Sequence, residues 1–179
     1  MRTNSWHLFY VAYQLLSPVG PRSLISGHFL AHILCFVIPS TIGVNVSEAD
    51  GSSNFSSVRA GDTVCIPAGN RGPLTLTNFQ GSASEPITFI NNGGQVTIMG
   101  PPNQQKGDST AALTIEKSSH IRLTGTGQEQ KCGAPYPSSL QQCGIRITGG
   151  WWGLMGRENS NMEIDHVEFY QTGGPMSLS

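Results

Sequence analysis

From residue 58 onward the chain is cut into short runs in which apolar and polar residues alternate: 74–79 (LTLTNF), 87–90 (ITFI), 96–99 (VTIM), 112–116 (ALTIE), 121–125 (IRLTG), 144–149 (GIRITG) and 162–170 (MEIDHVEFY). A period of two puts successive side chains on opposite faces of a strand, and the Ile, Leu, Val, Thr and Phe that fill these runs suit a pleated, half-buried surface. Gly, Asn or Pro bounds each run and breaks nearly every window in which a helical stripe would have to form. The 22 Gly and 11 Pro of the 179 residues supply the many turns that such a chain needs. This pattern predicts an all-β protein.

Repetition narrows the choice further. Ile121-Arg122-Leu123-Thr124-Gly125 recurs as Ile145-Arg146-Ile147-Thr148-Gly149, 24 residues on, and Thr172-Gly173 repeats the end of the unit after another 24. A second match sets Ser118-Ser119-His120-Ile121-Arg122-Leu123 against Asn159-Ser160-Asn161-Met162-Glu163-Ile164, 41 residues on. Both offsets suit a solenoid in which each turn of chain stacks on the last, but they cannot mark the same face, and the register stays open between them. Stacked turns bury inward Ile, Leu, Val and Phe and present long outward grooves, which suit an extended polymer better than a compact metabolite.

The first part of the chain reads differently. The ten-residue apolar run 29–38 (FLAHILCFVI) is too short to span a bilayer and has the length of a signal-peptide core. Two glycosylation triplets follow, Asn45-Val46-Ser47 and Asn54-Phe55-Ser56, in a stretch rich in Ser, Asn and Gly. The expected organisation is a leader over 1–43, a linker over 44–57, β coils over 58–173 and an irregular tail over 174–179, in a secreted protein with no membrane span. Cys35 falls in the leader. Cys65 reads as a small buried hydrophobe. Cys132 and Cys143 bracket a loop rich in Pro and Ser and are expected to be bridged, closing a segment with no other means of staying ordered.

Only 12% of the residues are charged and the formal net charge is −1, which argues against nucleic acid or an anionic membrane as partner. No cofactor is evident, and the cysteines lack the spacing of a zinc site. His166 and Glu168 are the catalytic candidates: alternation puts them on one face of a strand, where a histidine beside a carboxylate makes a proton-transfer pair, and sends Asp165 to the other. Arg122 and Arg146 hold matching places in the repeated unit and, stacked in register, make a basic ladder for the acidic groups of a polysaccharide, with Lys117 and Arg71 as candidates to extend it. Trp151 and Trp152, between glycines, are candidate sugar platforms, with one ring in and the other out as the compromise between contact and burial. Ordinary solvent-facing polarity is the favoured account of the first two sets.

The stretch Val58-Arg59-Ala60-Gly61-Asp62-Thr63-Val64-Cys65-Ile66-Pro67-Ala68-Gly69 with its following Thr-x-Thr strand, and the phrase SEPITFIN at 84–91, resemble the first two coils of secreted right-handed parallel β-helix proteins of the pectate-lyase-like class, near chondroitinase- and alginate-lyase-type members. The resemblance covers 58–172 and implies a right-handed parallel β-helix (solenoid). It implies a polysaccharide-active protein, with lyase the enzyme type most suggested and Ca²⁺ a cofactor of the full-length form. A non-catalytic carbohydrate-binding or surface-adhesion protein is the alternative, since the class holds both. Lyases of this kind carry basic and acidic catalytic residues on middle coils. With an irregular tail after Gly173, the chain is expected to be a truncated, N-terminal portion, inactive by itself.

Overall fold

Alternation over the central two-thirds of the chain dictates strands with one dry and one wet face, and in the computed structural model every regular element among the described residues is a β-strand. Residues 35–39, 47–102, 110–125 and 144–178 are described. The strands are β1 (Cys35–Val37), β2 (Ser47–Asp50), β3 (Thr63–Arg71), β4 (Leu74–Thr77), β5 (Ile87–Met99), β6 (Ala111–Glu116), β7 (Ser119–Thr124), β8 (Ile145–Thr148), β9 (Trp152–Arg157), β10 (Ser160–Asp165), β11 (Val167–Tyr170) and β12 (Gly174–Leu178).

Every pairing between them is parallel. One sheet runs β2-β4-β6-β9-β12; the other runs β1-β3-β5-β7-β10, with β8 on β5 and β11 on β8. The long strands make this second sheet two columns in one. The first half of β5 pairs with β7 (Ile87↔Ile121 to Ile90↔Thr124) and its second half with β8 (Val96↔Ile145 to Met99↔Thr148). Between the halves the chain bends at Gly93 and Gly94, with φ of 81° and 136°, and Asn91 Nδ2 closes the bend on the Gly94 carbonyl at 2.7 Å. Each pass of the chain thus lays one strand on each of three parallel columns.

The register decides between the two sequence offsets. Ile121 lies beside Met162 and Leu123 beside Ile164, so the 41-residue match is the stacking register. The 24-residue match joins β7 to β8, which belong to different columns of the same pass. Every column asks for the same in-out alternation ending in a turn, so I-R-(L/I)-T-G recurs without implying contact. The corner residues carry the finer information: His120 and Asn161 occupy matching corners with φ of 48° and 53°, a left-handed conformation that strand residues avoid.

The inward residues form one core drawn from both sheets. Val64, Phe89, Leu123 and Ile164 stack in one column, and Leu74, Leu113 and Leu154 in another. Phe89 is fully buried, edge-on to Phe79 at 4.9 Å between ring centres, and burial of a phenyl ring on this scale stabilises by roughly 1.5–3 kcal/mol. Burial falls off in the last pass, where Met162, Ile164, Val167 and Phe169 are only partly covered.

Several boundaries differ from the sequence expectation. Residues 35–38 belong to the sheet: Phe36 packs on the core, Ile38 is 1% exposed and the Ile38 N–H donates to the Cys65 carbonyl at 2.9 Å. The apolar run 29–38 therefore ends in a strand, templated by the edge of β3. Cys65, buried as expected, faces away from the core and is disulfide-bonded to Cys35, their Cα atoms 5.6 Å apart. Within 44–57, β2 pairs with β4 and Phe55 is buried, so hydrophobic anchoring overrides the polar composition of that stretch. The strand through Thr63 continues past Pro67 to Arg71, absorbing the proline's missing N–H in a register shift between Pro67 and Gly69. Residues 174–178, expected to be irregular, form β12 on the free edge of β9, and the Gly174 N–H donates to the Trp151 carbonyl at 2.6 Å.

Candidate functional site

Because β7 and β10 stack with Arg122 beside Glu163 and Thr124 beside Asp165, the outward side chains of two passes meet. Arg122 Nε donates to Asp165 Oδ2 at 2.8 Å, its Nη2 lies 2.7 Å from the same oxygen, and Nε lies 3.4 Å from Glu163 Oε1. The Thr124 hydroxyl donates to Asp165 Oδ1, and His166 Nδ1 is 2.7 Å from that oxygen. Burial raises the Asp165 pKa, but the hydrogen bonds from His166, Thr124 and Arg122, with the Arg122 charge, outweigh it and hold the carboxyl at about 2.

His166 does not lie on a continuous strand. It is a bend between β10 and β11 with φ of 51°, and this left-handed step resets the alternation. Asp165 and Glu168 consequently both face outward, on adjoining columns, while Ile164, Val167 and Phe169 face the core. Glu168 is taken by Arg146, whose Nε and Nη2 donate to its two oxygens at 2.8 and 3.2 Å, a bidentate pair. The His166–Glu168 pair expected from alternation is replaced by His166–Asp165. The geometry leaves the imidazole oriented through Nδ1, the arrangement that readies the other ring nitrogen for proton transfer.

The arginine ladder does not form. Arg122 is in register with Thr88 and Glu163, and Arg146 with Thr97 and Glu168, so the two belong to separate columns and each guanidinium is met by a carboxylate from the next pass. Arg71 is no part of a surface patch, being 2% exposed. Lys117 lies at a corner with φ of 49°.

Trp151 and Trp152 are both partly buried and meet edge to face, with ring centres 6.3 Å apart and planes inclined at 75°. The division into one buried and one exposed ring is not what the fold makes. Instead both indoles lie against the next pass, where Gly173 and Gly174 leave room for them. A Cβ on Gly173 would sit 2.7 Å from Trp151 Cε3, and one on Gly174 would sit 2.5 Å from Trp152 Cζ3. One corner away, the Arg146 guanidinium stacks over the Tyr170 ring at 5.2 Å. Tyr170 and Asp165 as arginine partners, and Thr124 as a donor to Asp165, emerge only once the register is known.

Of the expected glycosylation sites, Asn45 lies outside the described residues. Asn54 is exposed, but its Nδ2 donates to the Glu48 carbonyl at 2.9 Å and its Oδ1 accepts from the Asp50 N–H at 2.7 Å, so the amide already closes its own turn. Cys132 and Cys143 also lie outside the described residues. Among those described, no three His, Cys, Asp or Glu side chains come together to hold a metal ion, and no helix is long and apolar enough to cross a membrane. The outward carboxylates Asp165 and Glu168 are tied to arginines, which does not fit the open oxygen cage that Ca²⁺ requires.

No family model matches the chain, and no curated protein or solved structure does.

Proposed function

We propose that the stacked passes are coils of a right-handed parallel β-helix of the secreted, pectate-lyase-like class, and that this chain binds an extended polysaccharide along an outward face of its last coils. The observation that carries the reading is the aromatic corner: two partly buried indoles seated on glycines, beside a tyrosine stacked under an arginine. Rigid rings held in place by their neighbours offer flat apolar surface to sugar rings with little ordering cost. The paired charges alongside present hydrogen-bonding atoms in fixed positions without a large net field, which suits a polymer carrying hydroxyls and scattered acidic groups.

Lyase chemistry is the second reading, favoured by His166 with Nδ1 on Asp165 close to the Arg122 guanidinium. An arginine base would first have to leave its carboxylate, so the binding reading asks less of this surface. The Cys35–Cys65 disulfide is compatible with an oxidising, extracellular setting.

Affinity electrophoresis of the purified chain through gels containing polygalacturonate, alginate, chondroitin sulfate or a neutral glucan tests the proposal. Retardation in at least one gel is expected, reduced at least tenfold in apparent affinity by Trp151→Ala or Trp152→Ala. Unretarded migration in all four contradicts it. Release of unsaturated ends from a retarding polymer, abolished by His166→Ala, would favour the lyase reading.

A further inference from the structure

The third strand column carries large apolar side chains at its inward position in three successive passes, Ile98, Ile147 and Phe169, each in register with the next. In the first of its passes the same slot, in register with Ile98, is held by Arg71. This side chain is among the largest fully buried ones in the protein, at 2% exposure. Its Nη2 donates to the Pro39 carbonyl at 3.4 Å, a long contact, and among the described residues Nε and Nη1 have no partner. Burial pushes the guanidinium pKa down, yet arginine keeps its proton at any physiological pH. A buried cation with unmade hydrogen bonds is strongly unfavourable unless a counter-charge meets it.

Among the described residues none does, and Arg71 takes part in no ion pair there. The first 47 residues contain no Asp or Glu; Glu48, the first, is exposed, and the Asp50 carboxylate accepts from Ser52 and from Asn78. We infer that Arg71 is the centre of a small-oxyanion site, taking inorganic phosphate or sulfate, at the N-terminal end of the core. Tetrahedral oxyanions present several acceptors within reach of one guanidinium, satisfying Nε and Nη1 together with the charge. The near-complete burial selects a compact free anion over the acidic groups of a polymer. The described contact of the guanidinium, the Pro39 carbonyl, is held next to β3 by the Ile38 N–H to Cys65 carbonyl bond and by the Cys35–Cys65 disulfide. The site is thus separate from the aromatic corner and stands whether or not the chain binds polysaccharide.

Equilibrium dialysis of the full chain against radiolabelled phosphate in a chloride buffer, with thermal midpoints read at constant ionic strength, tests the site. The expected result is one phosphate per chain, competed by sulfate, and a midpoint that rises with phosphate concentration. Arg71→Met abolishes both while leaving gel retardation by each of the four polysaccharides as it is in the parent chain. Arg71→Lys, which keeps the charge and loses the planar donor fork, weakens phosphate binding at least tenfold and covers the case in which the methionine variant fails to fold. Absence of bound phosphate in the parent chain, undiminished affinity in Arg71→Lys, or an equal midpoint rise in Arg71→Met overturns the proposal.

Discussion

The Ser118 N–H donates to Asn159 Oδ1 at 3.0 Å, joining two successive passes at one corner. Asn159 Nδ2 donates to the Ile115 carbonyl at 2.7 Å, while the Ser118 hydroxyl accepts from the Phe79 N–H at 3.1 Å and donates to the Glu116 carbonyl at 2.8 Å. Phe79, Ser118 and Asn159 thereby form an inner corner that satisfies backbone groups where the strand ladders stop. Replacing Asn159 by Leu leaves the Ser118 N–H and Ile115 carbonyl without these partners and is expected to destabilise by about 1–3 kcal/mol, read as a lower urea midpoint with an unchanged slope.

The same corner explains why the sequence was legible in its strands and ambiguous in its stacking. Alternation in ITFI, VTIM, ALTIE and IRLT reports only which residues face the core, a demand common to all three columns. The corner triplets Ser118-Ser119-His120 and Asn159-Ser160-Asn161 report position around the turn, because their side chains bond across passes and their third residues take a left-handed backbone. Strands β1, β2 and β12 carry no such pattern. Each forms where a neighbouring strand offers an edge, which is tertiary information. The polar cluster Asp165-His166-Glu168 was visible in the sequence, but its partners Arg122, Thr124 and Arg146 depend on a register that the repeat IRLTG/IRITG misdirects.

Asp165 makes stability depend on acid. Its carboxyl titrates at about 2 in the folded chain against 3.8 for the unperturbed group, so its contribution is present above pH ~4 and is lost as pH falls toward 2. Asp50, lowered chiefly by the hydrogen bond from Asn78, acts in the same direction. Asp165→Asn is expected to lower stability at neutral pH and to flatten the fall between pH 4 and pH 2, as measured by thermal midpoints across that range.

The Cys35–Cys65 bond closes a loop with a sequence separation of 30. In the chain-entropy account such a cross-link stabilises by about 3–4 kcal/mol. Cys35→Ser is expected to lower the thermal midpoint and to raise hydrogen exchange at Ile38, whose N–H bonds the Cys65 carbonyl. Unchanged exchange there would mean that β1 holds without the bond.

Gly174 faces the Trp152 ring so closely that Gly174→Ala must displace the indole. An overpacking cost of about 1–3 kcal/mol is expected, together with a shift in tryptophan emission and weaker retardation in polysaccharide gels. A neutral substitution would show that the ring moves aside freely, and the aromatic corner would then not be a rigid platform.

The parallel stacking of β10 on β7 at a 41-residue offset sets the Arg122–Asp165 cluster, and cross-linking reads it directly. In a chain with Cys132 and Cys143 replaced by serine, Arg122→Cys with Glu163→Cys brings together residues that are neighbours in register, whereas Arg122→Cys with Arg146→Cys brings together residues that the repeated unit alone would stack. Mild oxidation followed by peptide mapping is expected to show an intrachain bond in the first variant and free thiols in the second. A bond in the second with free thiols in the first would contradict the stacking, and with it the pairing of Arg122 with Asp165 and of Arg146 with Glu168.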